Sequence, residues 1–251
     1  MDAIKFTLRG NTAFFKKPDV NSNMYFTYGC IHKVALLGIF GAILGYSGYN
    51  KIKDKKDINV YPEFYEKLKD LKISIFPKNP KGYITKKVQT FNNSVGYASK
   101  EQGGNLIVKE QWLENPVWDI YFIIDSKESE NLKEKMLNSE CTYMPYLGKN
   151  DHPASIEDVV LIKDIEEASC IKSIDSIFIK DSVVLEEEDY FSFEEGEDVE
   201  PIWKYEEKLP MTLDKITNKY EFESFIATNR KVEGVKKSNI YNICGKNLFF
   251  I

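Results

Sequence analysis

The most apolar run in the chain lies at residues 33–46, Lys-Val-Ala-Leu-Leu-Gly-Ile-Phe-Gly-Ala-Ile-Leu-Gly-Tyr, and its pattern predicts a buried helix. Ala35, Gly38, Ala42 and Gly45 recur at steps of three and four with Gly41 beside them, so one face carries almost no side chain. Leu36, Leu37, Ile39, Phe40, Ile43 and Leu44 cover the rest. Each glycine costs a helix about 1 kcal/mol against alanine, so a sheet or a partner is expected to pack closely on that bare face. The uninterrupted apolar stretch, residues 34–46, is 13 residues long, whereas a membrane span needs about 20. A core helix is therefore expected rather than a span. No cleavage pattern of small residues follows, which argues against a secretion signal.

The remaining pattern alternates strands and helices. Ile4, Phe6 and Leu8 point one way and Lys5, Thr7 and Arg9 the other, the period of a half-buried strand, which Gly10 and Asn11 break. Aromatics, lysines and amides then mix in a loop up to Gly29. A second helix is predicted from Pro62, with Phe64, Leu68 and Leu71 on one face, followed by a short strand at 72–76 that stops at Pro77. Residues 79–111 turn polar and suit a protruding hairpin, while Val117–Ile124 reads as a central strand. A helix at 129–138 and a strand at 159–162 complete the order βαββαβ. This predicts an α+β protein with a ferredoxin-like domain over 1–165, carrying the hairpin 79–111 as an insertion. Residues 166–251 read as a β-rich C-terminal region, with short strands at 174–179, 189–193, 220–226 and 240–244 and turns at Pro201 and Pro210.

Charge sharpens this picture more than composition does. The net charge is −5, yet residues 1–111 carry 18 Lys and Arg against 9 Asp and Glu, and residues 112–251 carry 16 against 30. The basic half suits a polyanion, and the acidic half, with its runs at 186–188 and 194–200, suits solvent or a basic partner. Cys30, Cys141, Cys170 and Cys244 are widely spaced and only His32 and His152 join them, so no metal site or other cofactor is expected. Reduced thiols and a cytoplasmic protein follow from the same reading. No Gly-x-Gly-x-x-Gly or Walker-type phosphate loop is present. Neither histidine sits in a nucleophile motif, and the glutamate runs read as solvated faces.

The positive candidate is a nucleic-acid surface. Lys16, Lys17, Tyr25, Tyr28, His32 and Lys33 flank the first strand and the start of the apolar helix, where free backbone N–H groups could meet a phosphate. Aromatics among cations suit a single strand, by stacking and charge neutralisation. Lys86, Lys87, Asn92 and Asn93 on the hairpin would add a second contact line, with the amides reading base edges or sugar hydroxyls.

Two strings carry a resemblance. The first is Phe6-Thr7-Leu8-Arg9-Gly10 with Ala13-Phe14-Phe15-Lys16-Lys17-Pro18, Thr27-Tyr28, Lys33-Val34-Ala35-Leu36-Leu37-Gly38 and Gly41-Ala42-Ile43-Leu44-Gly45; the second is Tyr146-Leu147-Gly148-Lys149-Asn150 followed by Ala154. Together, over residues 3–163, they resemble the fifth CRISPR-associated (Cas) family, and the lysine- and acid-rich remainder is similar to members from type I-B systems. The resemblance implies an RNA-recognition-like (RAMP-type) ferredoxin fold whose inserted hairpin is a thumb. It also implies a non-catalytic subunit that caps the 5′ handle of the CRISPR RNA in the Cascade surveillance complex. The implied neighbours are the backbone subunit (seventh family) and the large subunit (eighth family), with target DNA met indirectly and no membrane. Lys149 joins the expected RNA-binding residues through the second string. Ile31 and His32 stand where the family has a Pro-Pro pair. The member that cuts precursor RNA has a Lys-His pair ahead of its second helix; this chain has Asp125-Ser126-Lys127-Glu128. A binding subunit is therefore the leading expectation, and a metal-independent endoribonuclease using His32 or His152 the alternative.

Overall fold

The computed structural model describes residues 1–19, 24–49, 60–186, 201–236 and 239–251. The protein is mixed α/β, with many strands and few helices among the described residues, consistent with an RNA-recognition-like fold. The chain runs β1 (Asp2–Arg9), β2 (Thr12–Ala13), α1 (Lys33–Leu44), α2 (Glu63–Leu68), β3 (Ile73–Pro77), β4 (Lys86–Asn92), β5 (Ile107–Glu114), β6 (Val117–Ile124), α3 (Lys127–Leu137) and β7 (Ser155–Ile162). Four of these strands form one antiparallel sheet in the order β3-β6-β1-β7. Its register places Phe6 opposite Ile120 and Ile4 opposite Phe122 and Leu161.

α1 lies on one face of this sheet. Phe40 packs between Phe6 and Phe122, at ring-centroid distances of 6.0 and 5.7 Å. The helix starts at Lys33 as the pattern predicts and ends at Leu44, because Gly45 takes a left-handed conformation (φ 81°) that glycine adopts without strain. α3 covers the neighbouring part of the face with Leu132 and Met136, and a Ser126–Ser129 capping box satisfies the first N–H groups of that helix.

The bare face of α1 behaves differently from the expectation. Gly41 and Gly45 have close neighbours of the kind a missing side chain allows, since a Cβ would stand 2.5 Å from the Cβ of Phe64 on α2 and 2.9 Å from Cγ2 of Thr142, respectively. Gly38 faces open space, with nothing among the described residues within 4 Å of the Cβ it lacks.

The C-terminal strands are β8 (Glu166–Glu167), β9 (Phe178–Ile179), β10 (Val183–Leu185), β11 (Lys204–Leu213), β12 (Tyr220–Thr228), β13 (Val232–Val235), β14 (Ile240–Ile243) and β15 (Lys246–Phe249). They bury two surfaces of the first part. Leu209, Leu213, Phe225 and Ala227 join the core around α1. On the opposite sheet face, Tyr241, Leu248 and Phe250 cover Ala3, Tyr121 and Ile123. β6 is thus buried on both sides, which is why its sequence is apolar almost throughout. The expected strand at 174–179 shortens to β9. The expected turn at Pro210 is instead part of β11, where a register irregularity between Pro210 and Thr212 accommodates the missing N–H. The expected strand at 189–193 and the acidic run at 194–200 lie outside the described residues, as do 187–188.

The polar segment does form a hairpin. β4 and β5 pair from Lys86↔Leu113 to Asn92↔Ile107, and β2 adds a short edge through Thr12↔Glu114. Residues 79–85, placed within the hairpin by the sequence pattern, instead form a single 3-10 turn at Pro80–Gly82 and an extended lead-in. No helix among the described residues is long and apolar enough to cross a membrane.

These contacts separate two adjacent glycines of α1. Gly38→Ala should raise the melting temperature, because the helix gains up to about 1 kcal/mol and nothing is displaced. Gly41→Ala should lower it, because overpacking against Phe64 costs about 1–3 kcal/mol. Thermal denaturation followed by circular dichroism reads both; equal shifts of the same sign would contradict this division.

Candidate nucleic-acid interface

The loop between β2 and α1 gathers much of the candidate chemistry. Lys16 pairs with Thr27 in an isolated bridge, and its exposed ammonium lies 3.7 Å above the centre of the Tyr25 ring. Tyr25 in turn joins the hairpin, donating its N–H to the Lys109 carbonyl and accepting from the Gln111 N–H. The aromatic and basic groups of the loop and the root of the hairpin are therefore one connected surface.

Lys17 and Lys86 are positioned by an acid that sequence reasoning did not find. The Glu207 carboxylate on β11 accepts from the Gly29 N–H at 2.8 Å and the Tyr205 hydroxyl at 2.7 Å, and pairs with Lys17 at 2.9 Å. Hydrogen bonds to a charged group contribute about 1.5–3 kcal/mol, so this hub fixes the loop to the C-terminal strands. The Lys86 ammonium lies near Gly29 in the same cluster, and burial lowers its pKa. Tyr28 is buried against His32 and Phe222, and burial raises its pKa.

His32 and Lys33 do not stand at the surface as the pattern suggested. His32 is only 3 % exposed, and its ring is packed by Phe15, Tyr28 and Tyr220. Its Nδ1 accepts from the Ala35 N–H, making it the N-cap of α1. Burial pushes its pKa down to about 3, so the ring is neutral at ordinary pH. Lys33 is 7 % exposed, and burial lowers its pKa to about 8. A buried ammonium cannot reach a phosphate in this conformation, which corrects the expectation that Lys33 and the helix start face one together.

The remaining candidates lie further along β4 and in the 145–154 loop beside the hairpin. Lys149 pairs with Glu110 at 3.2 Å and Asp151 at 3.3 Å and lies 5.3 Å from the centre of the Phe91 ring. Lys87 pairs with Glu114 at 3.3 Å. His152 is fully buried, with Nδ1 2.6 Å from the Thr12 hydroxyl and its ring against Trp112. Asn92 and Asn93 are exposed towards the tip; Asn92 accepts from the Ser94 N–H, and the Asn93 N–H donates to the Leu106 carbonyl. The structure does not bring these two asparagines to the loop cluster.

The two strings that carry the resemblance meet in space. The Phe14 N–H donates to the Leu147 carbonyl at 3.1 Å, and a Cβ on Gly148 (φ 87°) would stand 2.1 Å from the Phe14 carbonyl oxygen. Only glycine fits there. Beside this contact opens a cavity of about 300 Å³, whose walls include Phe14, Phe15, Tyr146 and Tyr220 and whose floor is the Ala35, Gly38 and Ala42 face of α1. Lys16 and His32 also line it. Among the described residues, no group of three or more His, Cys, Asp or Glu is placed to hold a metal ion.

No family model matches the chain, and no curated protein matches it. Among solved structures, it is similar to a chain of a CRISPR RNA-guided surveillance complex, with a TM-score of 0.53 and 12 % identity over 92 % of this chain and 90 % of that one. It is also similar to a CRISPR protein from Archaeoglobus fulgidus, with a TM-score of 0.49 and 11 % identity over 99 % and 98 % of the two chains. The first likeness establishes a shared fold across nearly the whole chain.

The buried cap makes stability depend on pH. His32 binds a proton more readily unfolded than folded, so its contribution is constant above its ordinary pKa of 6.5 and is lost as pH falls towards about 3. Burial lowers the His152 pKa as well, so two groups act in the same direction. Between pH 6.5 and about 5, the wild type should lose up to about 2 kcal/mol more than His32→Asn, which keeps a capping side chain but no titrating ring. Urea midpoints across this range check the difference.

Proposed function

We propose that this chain is a non-catalytic, RNA-binding subunit of a CRISPR RNA-guided surveillance complex, acting in the cytoplasm. In this reading residues 1–165 are the ferredoxin-like domain, the β4–β5 hairpin is the thumb, and the β-rich region 166–251 braces both. The chain caps the 5′ handle of the CRISPR RNA in a type I-B complex and anchors the backbone and large subunits beside it. Target DNA is met only through them.

The observation that carries the proposal is the connected surface formed by Lys16, Tyr25 and the hairpin root, on a fold shared with a chain of such a complex. Cations over aromatic rings suit an RNA backbone and its unstacked bases. The state of the histidines supports binding rather than cleavage. A general base works best with a pKa near the working pH, whereas His32 is held near 3 by burial and spends Nδ1 on the helix cap. His152 is buried, with its Nε2 enclosed.

Expressed with its neighbouring genes, the chain should co-purify with guide RNA and the other subunits. Recovery of a fully guide-loaded complex from cells lacking it would overturn the proposal. Within the complex, Lys16→Ala should reduce the slope of log affinity against log salt by about 1, the value of one phosphate contact, and Lys33→Ala should leave that slope unchanged. Fluorescence anisotropy with a repeat-derived RNA at several salt concentrations measures both.

A further inference from the structure

We propose that the cavity on the bare face of α1 is a pocket for a single unstacked RNA base, whose edge accepts a hydrogen bond from His32 and whose phosphate lies by Lys16. The inference rests on the RNA-binding reading above and names the part of the RNA that this surface recognises.

Four features converge on this occupant. The floor is open because of Gly38, whose missing Cβ has nothing among the described residues within 4 Å. The walls include Phe15 and Tyr220, which offer ring surface to a planar ligand. At the rim, Lys16 supplies a cation already placed over an aromatic ring. The fourth is His32, which is 97 % buried by its 3 % exposure yet still lines the cavity.

The protonation of His32 follows from its partner. Nδ1 accepts from the Ala35 N–H and so carries no proton, and the neutral ring must hold its proton on Nε2. That N–H has no hydrogen-bond partner among the described residues, because the N-cap bond is the ring's only hydrogen bond there. Burial keeps the ring neutral across the physiological range, so Nε2 is a donor of fixed sense. An aliphatic side chain from a neighbouring protein would fill the cavity but shut this donor away from water without a partner, which is unfavourable. A nucleobase presents ring-nitrogen or carbonyl acceptors at its edge, two faces for the aromatic walls, and a phosphate for Lys16. At about 300 Å³, the cavity lies at the lower end of the range for small-ligand sites and suits one base rather than a helix.

The test scans a repeat-derived single-stranded RNA with one abasic site at a time, binding it to the full chain in its complex and reading affinity by anisotropy. One position should weaken binding by about tenfold or more, in line with the loss of a stacked base. Gly38→Leu fills the cavity from its floor, and His32→Asn keeps a helix cap but removes the Nε2 donor. Both should weaken binding of the intact RNA, and in both the penalty at that one abasic position should largely vanish. If Gly38→Leu fails to fold, as judged by its melting temperature, His32→Asn alone decides. The inference is overturned if every abasic RNA binds within about twofold of the intact strand, or if the single-position penalty persists unchanged in the folded variants; the occupant is then a protein group or nothing. Failure of the wild-type complex to bind any of the RNAs would instead overturn the RNA-binding reading, and this inference with it.

Discussion

Phe40, held between Phe6 of β1 and Phe122 of β6, fixes which way every other residue of α1 points. With that ring in the sheet, helical geometry turns Gly41 towards α2 and leaves Ala35, Gly38 and Ala42 on a separate side. A helix this apolar has no natural solvent face, so each sector must be covered or put to use. The sheet covers one sector and Phe64 another, while aromatic rings from the segment after β2, from β12 and from the 145–154 loop arch over the third without filling it. The cavity is thus the remainder of a packing problem solved everywhere else along the helix.

Electrostatics in the loop before α1 obey a second constraint. The excess of positive charge in the first half of the sequence does not all face outward. Glu207, from the acidic half, takes up Lys17 and lies in the same cluster as Lys86. Glu110 and Glu114 similarly pair with Lys149 and Lys87. Lys16 differs, because its ammonium lies over the face of the Tyr25 ring and forms no ion pair among the described residues. A charge tally over-counted the cations able to meet a polyanion, because it could not see which lysines were already paired.

Local pattern revealed what local physics decides. The alternation of Ile4, Phe6 and Leu8, the apolar run of α1 and the continuous apolar stretch of β6 each announce their element, since one or two buried faces dictate the residue types. β11 escaped notice because its charged residues alternate with few large apolar ones and Pro210 suggests a turn. At the candidate site, residues adjacent in sequence were legible, and Lys16, Lys17, Tyr28 and His32 do gather. Their partners were not, because Glu207 lies 178 residues from Gly29 and no periodicity connects them. The burial of Lys33 was equally invisible, since it depends on how the chain packs around the helix start and not on the helix itself.

The bond pair between Ile251 and Ile73, with N–H to carbonyl distances of 2.9 and 3.1 Å, closes the outer edge of β3. It sets an order on biogenesis. Until residues around 251 leave the ribosome, the start of the β3 edge at Ile73 is unpaired and the second face of β6 lacks its cover of Tyr241, Leu248 and Phe250. Exposed edges and uncovered sheet faces invite pairing with other chains. Contacts of such long sequence separation also form slowly. The interval between synthesis of β6 and arrival of the C-terminal strands is therefore when this protein is most exposed to aggregation, and when early contact with a neighbouring subunit or a chaperone would matter most.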